Sequence, residues 1–296
     1  MADTILLTGG TGFLGTELAS RLSGNPENKI YVLVRAADEQ GAVHRLKGAW
    51  YFDRELYARI GEKCIPVPGD FTKEGIGLSG ENRKRLLEQV TLIIHAGAEV
   101  GFQKSREELF STNREGTRNM LTLAGQMKKL RRFVHISTAY VAGTAKGVVR
   151  EESPAGTSYS GYYEESKAEA EKLVRASGVP YTICRPGMIV GDSRTGWVRN
   201  FNTIYYVLKM MLLGKMRVLP IRPDAPLNIV PGDYVADCIA KISFDEDAAG
   251  RTFHLTCPEE AAGICLPQEF HAPDRADRLR TGAGQAREHK ISHLLL

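Results

Sequence analysis

A chain of 296 residues, 43% hydrophobic and 25% charged, can bury a sizeable core, which excludes a mostly disordered protein. Its formal charge of +4, from 39 basic and 35 acidic residues, is too small to imply a nucleic-acid partner but suits an anionic small molecule. No apolar run approaches ~18 residues, so no membrane span is expected, and Met1-Ala2-Asp3 lacks the basic start of a secretory signal.

Residues 4–7 read as a buried strand, and the stretch from Phe13 to Leu22 reads as a helix with apolar positions at 14, 18 and 22. Further strands are expected at residues 30–34, 65–67, 91–94 and 133–136, separated by helices near 42–60, 81–89 and 106–129. Strand and helix alternating in this way, with strands of Val, Ile and Leu, predict an α/β fold: a doubly wound parallel sheet covered on both faces. Ligands of such sheets bind beyond the carboxyl ends of the strands. After Arg185-Pro186-Gly187 the texture changes. Residues 191–230 are rich in Gly, Arg and Pro around one helix-like stretch at 201–213, and Pro231 is expected at the first position of a helix ending near Phe244. Residues 252–256 read as a last strand, and 272–290, nearly all charged, Gly or Ala, give no basis for structure. The cysteines at 64, 184, 238, 257 and 265 are odd in number and lack a CxxC pair, as expected of reduced thiols in a cytoplasmic protein with no metal site.

The strongest local signal is Thr8-Gly9-Gly10-Thr11-Gly12-Phe13-Leu14-Gly15, which follows the first strand and opens the first helix. Gly9 allows a tight turn, Gly12 a close approach to a pyrophosphate, and Gly15 close packing of helix on strand, while the helix start offers N–H donors and a positive dipole. The bland alternative is a glycine-rich turn without a ligand. Where an NAD site has a carboxylate after the second strand, this chain has Tyr31-Val32-Leu33-Val34-Arg35. A guanidinium can bind a ribose 2′-phosphate, and Arg45 can add a second charge, so the expected cofactor is NADP(H). Arg35 could equally be a solvated strand-end residue, with Asp38 and Glu39 nearby.

Tyr163 and Lys167 stand at i and i+4, on one helical face. A phenol serves in acid–base chemistry at neutral pH when a neighbouring ammonium and a cationic nicotinamide stabilise its phenolate, which is expected here. The same spacing recurs at Tyr205 and Lys209, where helix packing explains it. Only the first pair follows His135-Ile136-Ser137-Thr138, whose hydroxyls close a strand where they can meet a substrate oxygen.

Together with Asp70 and Arg185-Pro186-Gly187, these features resemble the extended short-chain dehydrogenase/reductase superfamily. Leu33-Val34-Arg35-Ala36, Gly69-Asp70 with Gly77-Leu78, the run from His95 to Phe102, and Asn113-Arg114-Glu115-Gly116-Thr117 resemble its thioester-reductase branch. That male-sterility or fatty acyl-CoA reductase-like branch includes the terminal reductase domains of peptide and polyketide assembly lines and carboxylic acid reductases.

The resemblance implies a Rossmann fold, with residues 1–190 binding the dinucleotide and 231–256 returning to that domain. Residues 191–230 and 257–296 would form a small substrate-binding part. It implies further that Gly9, Gly12 and Gly15 hold the pyrophosphate, Arg35 the 2′-phosphate, Asp70 and Phe71 the adenine, and Ala96, Gly97 and Ala98 the ribose. Lys167 would bind the nicotinamide ribose and tune Tyr163, Pro186 and Met188 would shape the nicotinamide pocket, and Asn113 would support a proton-relay water or serve as a buried helix amide. With the glycine loop beginning at residue 8, a freestanding protein is expected, monomeric or homodimeric. Its substrate would be a carbonyl or thioester linked to coenzyme A or a carrier protein. Arg194, Arg199, Lys215, Arg217 and Arg222 could attract that carrier's phosphates or be a solvated face. The alternatives are a ketone or aldehyde reductase, a nucleotide-sugar epimerase or dehydratase of the same superfamily, and a non-catalytic dinucleotide sensor.

Overall fold

The computed structural model describes residues 3–101, 103–152, 156–199, 204–216 and 227–257. Short apolar runs become the strands β1 (Thr4–Thr8), β2 (Lys29–Val34), β3 (Cys64–Pro68), β4 (Leu92–His95), β5 (Arg132–Ile136) and β6 (Tyr181–Pro186). Two short strands, β7 (Met188–Val190) and β8 (Ile229–Pro231), pair in parallel apart from the main sheet, and β9 (Thr252–Leu255) returns to it. The main sheet has the order β3-β2-β1-β4-β5-β6-β9 with every pairing parallel. Strand order reverses between β1 and β4, which opens a crevice beyond their carboxyl ends. The chain has the doubly wound Rossmann architecture.

Helices α1 (Phe13–Gly24), α2 (Glu39–Trp50), α3 (Arg54–Ala58), α4 (Gly80–Gln89), α5 (Arg106–Leu109), α6 (Gly116–Ala124) and α7 (Tyr162–Ala176) are interleaved with the strands. Two more, α8 (Ile204–Leu212) and α9 (Gly232–Phe244), follow them. Alternation along β1 assigns the faces. Ile5 and Leu7 pack with Leu18, Leu46, Trp50 and Ile239, whereas Leu6 packs with Leu86, Met120 and Val174.

Three boundaries differ from the sequence reading for local reasons. The helix expected over 42–60 breaks because Asp53 caps α3, its side chain accepting from the Leu56 amide at 2.9 Å. The helix expected over 106–129 ends at Ala124, with Gly125 as its cap, and is interrupted by a π-helical turn, Phe110–Glu115. Pro231 is the N-cap of α9 rather than its first residue, because it still closes β8 with extended ψ of 143°.

The chain divides into two compact units, Met1–Arg199 with Asn228–Pro258, and Asn200–Leu227 with Glu259–Leu296. In the second unit α8 carries Tyr205 and Lys209. The featureless stretch at 272–290, Arg217 and Arg222 lie outside the described residues. Among the described residues, no helix is long and apolar enough to cross a membrane.

Candidate active site

The glycine loop turns at the end of β1. Gly9 has φ of +72°, and a Cβ there would lie 2.7 Å from backbone atoms of Ala96 and Gly97, so both conformation and space require glycine. A Cβ on Gly15 would lie 2.1 Å from the Gly9 carbonyl oxygen, which explains why α1 can approach the loop only with glycine there. The loop's carbonyls are tied back into the protein. Gly9 accepts from the Gly12 amide (2.8 Å), Gly10 from the Trp50 indole (2.9 Å), and Gly12 from the Thr16 hydroxyl (2.8 Å). Gly12 starts α1 without a side-chain cap, so the first-turn amides face outward as an anion-binding end.

Beyond these strand ends lies a cavity of about 530 Å³. Of the residues proposed from sequence as cofactor ligands, Gly9, Thr11, Gly12, Arg35, Arg45, Asp70, Phe71, Ala96, Gly97 and Ala98 line it. Phe13, Leu14 and Gly15 do not: Phe13 packs on Gly232 and Leu14 on the core, leaving only their backbone for a ligand. Tyr163, Lys167, Pro186 and Met188 also lie outside its wall.

Arg35 pairs with Asp70 at 3.3 Å, and Arg45 donates to the Arg35 carbonyl at 2.8 Å, so two guanidiniums stand at the end of β2. Burial works to raise the Asp70 carboxyl, but bonds from the Thr72 hydroxyl and amide, with Arg35 beside it, hold it below the usual carboxylate range. The Asp70 amide is anchored on the carbonyl of Ile76, a β-branched residue held at φ of +64°. Such strain is kept where the surroundings over-determine it, here in the core beneath the cavity-lining Asp70.

A hydrogen-bonded chain fixes the floor. The Gly97 amide donates to Thr8 Oγ1 (3.0 Å), which contacts His95 Nδ1 (2.8 Å), and His95 Nε2 contacts Thr117 Oγ1 (3.2 Å). Thr117 donates its own proton to the Asn113 carbonyl (2.6 Å), so His95 carries its proton on Nε2 and accepts from Thr8. Burial, helped by Lys167, pushes His95 down to about 3, so it is neutral.

Asn113 sits in the π-helical turn and is fully buried. Its side chain accepts from the Glu99 amide (2.8 Å) and donates to the Glu99 carbonyl (3.0 Å) and Ser166 Oγ (3.0 Å). It thus clamps a cavity-lining residue to the helix that carries Lys167.

Thr138 and Tyr163 come together beyond β5. Their side chains are hydrogen-bonded, and Thr138 Oγ1 lies 3.5 Å from the Pro186 carbonyl. Within the protein itself the phenol is raised rather than lowered. Burial pushes Tyr163 up to about 12, with only the Thr138 bond opposing it. Lys167 does share the helix, but its ammonium donates to the Ile136 carbonyl at 2.7 Å. Burial brings Lys167 down to about 8, with Glu171 working against it. One turn further on, Glu171 meets Arg185 through bonds of 2.9 and 2.7 Å, both side chains being 1% exposed. This pair ties α7 to the strand leading to Pro186.

Sequence reasoning missed Thr72, Glu99, Lys104, Glu108, Ser111 and Thr112, which also line the cavity. Ser111 and Thr112 stand just before Asn113, and no residue pattern announces the π-helical turn that presents them. Arg194 and Arg199, proposed as part of a cationic cluster, fall in the first unit and Lys215 in the second. Arg199 binds Thr16 of α1.

Comparison with known proteins agrees with this fold. A 36% identical terminal R domain from the myxalamid PKS-NRPS biosynthetic pathway superimposes with a TM-score of 0.78, over 87% of this chain and 66% of that one. A nonribosomal peptide synthetase, asaC of Aspergillus flavus, is 32% identical over 280 residues, 88% of this chain and 27% of its own length. Fatty acyl-CoA reductase wat of Drosophila melanogaster is 27% identical over 81% of this chain and 54% of its length. The chain therefore spans less than two thirds of each of these relatives. The NAD-binding family described as male sterility protein matches residues 7–239. The chain belongs to that family, within the thioester-reductase branch of the extended short-chain dehydrogenase/reductases.

Proposed function

We propose that this chain is an NADPH-dependent reductase that acts on the carbonyl of an acyl thioester, held on coenzyme A or a carrier protein, or on the aldehyde derived from it. The observation that carries the proposal is the pairing of Thr138 with Tyr163 beside Pro186, on the sheet whose glycine loop opens into a cavity of about 530 Å³. The names of relatives, a fatty acyl-CoA reductase and assembly-line reductase domains, favour the thioester class. Arg35 and Arg45 in the cavity wall, with no carboxylate at the end of β2, favour the 2′-phosphorylated cofactor.

A bound reduced nicotinamide supplies the hydride. Thr138 and Tyr163 hold the substrate carbonyl oxygen, and Tyr163 delivers the proton to it as negative charge develops there. A phenol pushed up to about 12 stays protonated at neutral pH, so the donor is loaded before reduction begins. Lys167, its ammonium held on the Ile136 carbonyl, binds the ribose hydroxyls. With a thioester substrate, the resulting hemithioacetal breaks its C–S bond and releases an aldehyde and a free thiol. A second round yields an alcohol. Asn113 holds Glu99 and α7 in place through its side-chain amide.

The test is to incubate the protein with NADPH and separate panels of acyl-CoA thioesters, ketones and aldehydes, following absorbance at the nicotinamide band and release of free thiol. Thioester-dependent loss of NADPH with stoichiometric thiol is expected. Consumption of ketones alone would reject the thioester assignment, and full turnover by Tyr163→Phe would reject the relay. Arg35→Ala should raise the Kd for NADPH while leaving that for NADH unchanged.

A further inference from the structure

We infer that Arg199 is a second cationic determinant of dinucleotide affinity, strengthening the pyrophosphate site from behind the glycine loop. This rests on reading Gly9 to Gly15 as the dinucleotide loop. The half-buried Arg199 guanidinium donates from Nη1 to Thr16 Oγ1 at 2.8 Å. Its central carbon lies 5.7 Å from the Phe52 ring centroid, and Phe52 packs on Trp197 with centroids 4.5 Å apart. Arg199 therefore has a built seat. It has no carboxylate within ion-pair distance among the described residues, and α1 has no acidic residue in its first turn. Glu17, the nearest acid on that helix, is committed to Arg21 at 2.7 Å.

This is an electrostatically unfavourable place for a cation. Thr16 is the fourth residue of α1, and the start of a helix carries positive potential that repels Arg and attracts anions. Burial adds a desolvation penalty. An anion on the first-turn amides offsets both costs, because the guanidinium and the helix end then attract it together.

The bonds on the page also give a path for the effect. Arg199 donates to Thr16 Oγ1, and that hydroxyl donates to the Gly12 carbonyl at 2.8 Å. The other end of the same peptide unit is the Phe13 N–H, in the uncapped first turn. A donor chain ending on a carbonyl polarises its peptide and makes the opposite N–H a stronger donor. Arg199 lies outside the cavity wall, so it is a positioning residue that acts through Thr16 and the Gly12–Phe13 peptide.

The experiment compares Kd values for NADPH, NADH and ADP-ribose in wild type, Arg199→Met, Arg199→Lys, Thr16→Val and Arg35→Ala, at low and high salt. Arg199→Met should weaken all three ligands by the same factor, about three- to tenfold, and flatten the salt dependence. Arg199→Lys should recover most of the loss. Thr16→Val, which keeps the charge but cuts the bridge, should show a similar loss, and Arg35→Ala should affect NADPH alone. Wild-type affinity for all three ligands in Arg199→Met, or a loss confined to NADPH, would overturn the inference. So would unchanged binding by Thr16→Val, the readout that stands if Arg199→Met does not fold. A wild-type protein that binds none of the three ligands would overturn the dinucleotide reading itself.

Discussion

Replacing Lys167 by methionine isolates the one charge that α7 buries beside the proposed reaction centre. Lys167 is 2% exposed, and burial lowers it from 10.5 to about 8. Below pH 8 the folded and unfolded chains both hold the proton, and the folded state bears the full penalty of a buried cation. Between about pH 8 and the ordinary lysine value, the unfolded chain still holds a proton that the folded chain has released, so wild-type stability rises with pH. From pH 7 to 9.5 that rise is about 2 kcal/mol, taking roughly 1.4 kcal/mol per pH unit above the folded value. Methionine removes this contribution. It also leaves the Ile136 carbonyl without its 2.7 Å donor, at a cost of about 1–3 kcal/mol that does not vary with pH. The informative quantity is therefore the pH dependence of the difference between the proteins. Urea unfolding at pH 7, 8, 9 and 9.5 measures it. The stability of Lys167→Met relative to wild type should fall by about 2 kcal/mol across the series. A difference that stays constant with pH would refute the buried-cation reasoning.

Gly15→Ala places a methyl group 2.1 Å from the Gly9 carbonyl oxygen, so the loop must shift. A stability loss of about 1–3 kcal/mol and at least tenfold weaker dinucleotide binding are expected in thermal melts and titrations, and binding within twofold of wild type would contradict the packing argument. Glu171→Gln removes the carboxylate that meets Arg185 where both side chains are 1% exposed, and should cost about 3–5 kcal/mol in urea unfolding. The Glu171→Leu/Arg185→Leu double variant should be more stable than the single one, which separates a broken ion pair from a lost contact. Tyr163→Phe should bind NADPH normally in a fluorescence titration yet lose at least a hundredfold in turnover, the range typical of a removed general acid.

Much of the architecture and the nucleotide side of the site was legible because each part lies in one short segment. The glycine loop reads directly from residues 8–15, and Arg35 follows from the rule that such sheets bind ligands at carboxyl ends, whereas Asp70 and Ala96 enter through the family resemblance. Long-range geometry was less accessible. The pairing of Glu171 with Arg185 joins two elements whose residues have no common spacing, and Arg199 reaches Thr16 across 183 positions. The π-helical turn around Asn113 is a hydrogen-bond shift that any helical sequence can hide. The buried setting of Tyr163 is illegible in the sequence for a related reason. Spacing located the ammonium on the same helix, but not its direction toward Ile136, nor the burial that outweighs it.

A crystal structure of the protein with NADPH and an unreactive thioester analogue tests the central claim most directly. The account predicts the 2′-phosphate on Arg35, the pyrophosphate on the first-turn amides of α1, and the analogue's carbonyl oxygen hydrogen-bonded to Tyr163 and Thr138 with its carbon facing nicotinamide C4. A phenol turned away from that oxygen, with another donor in its place, would contradict it.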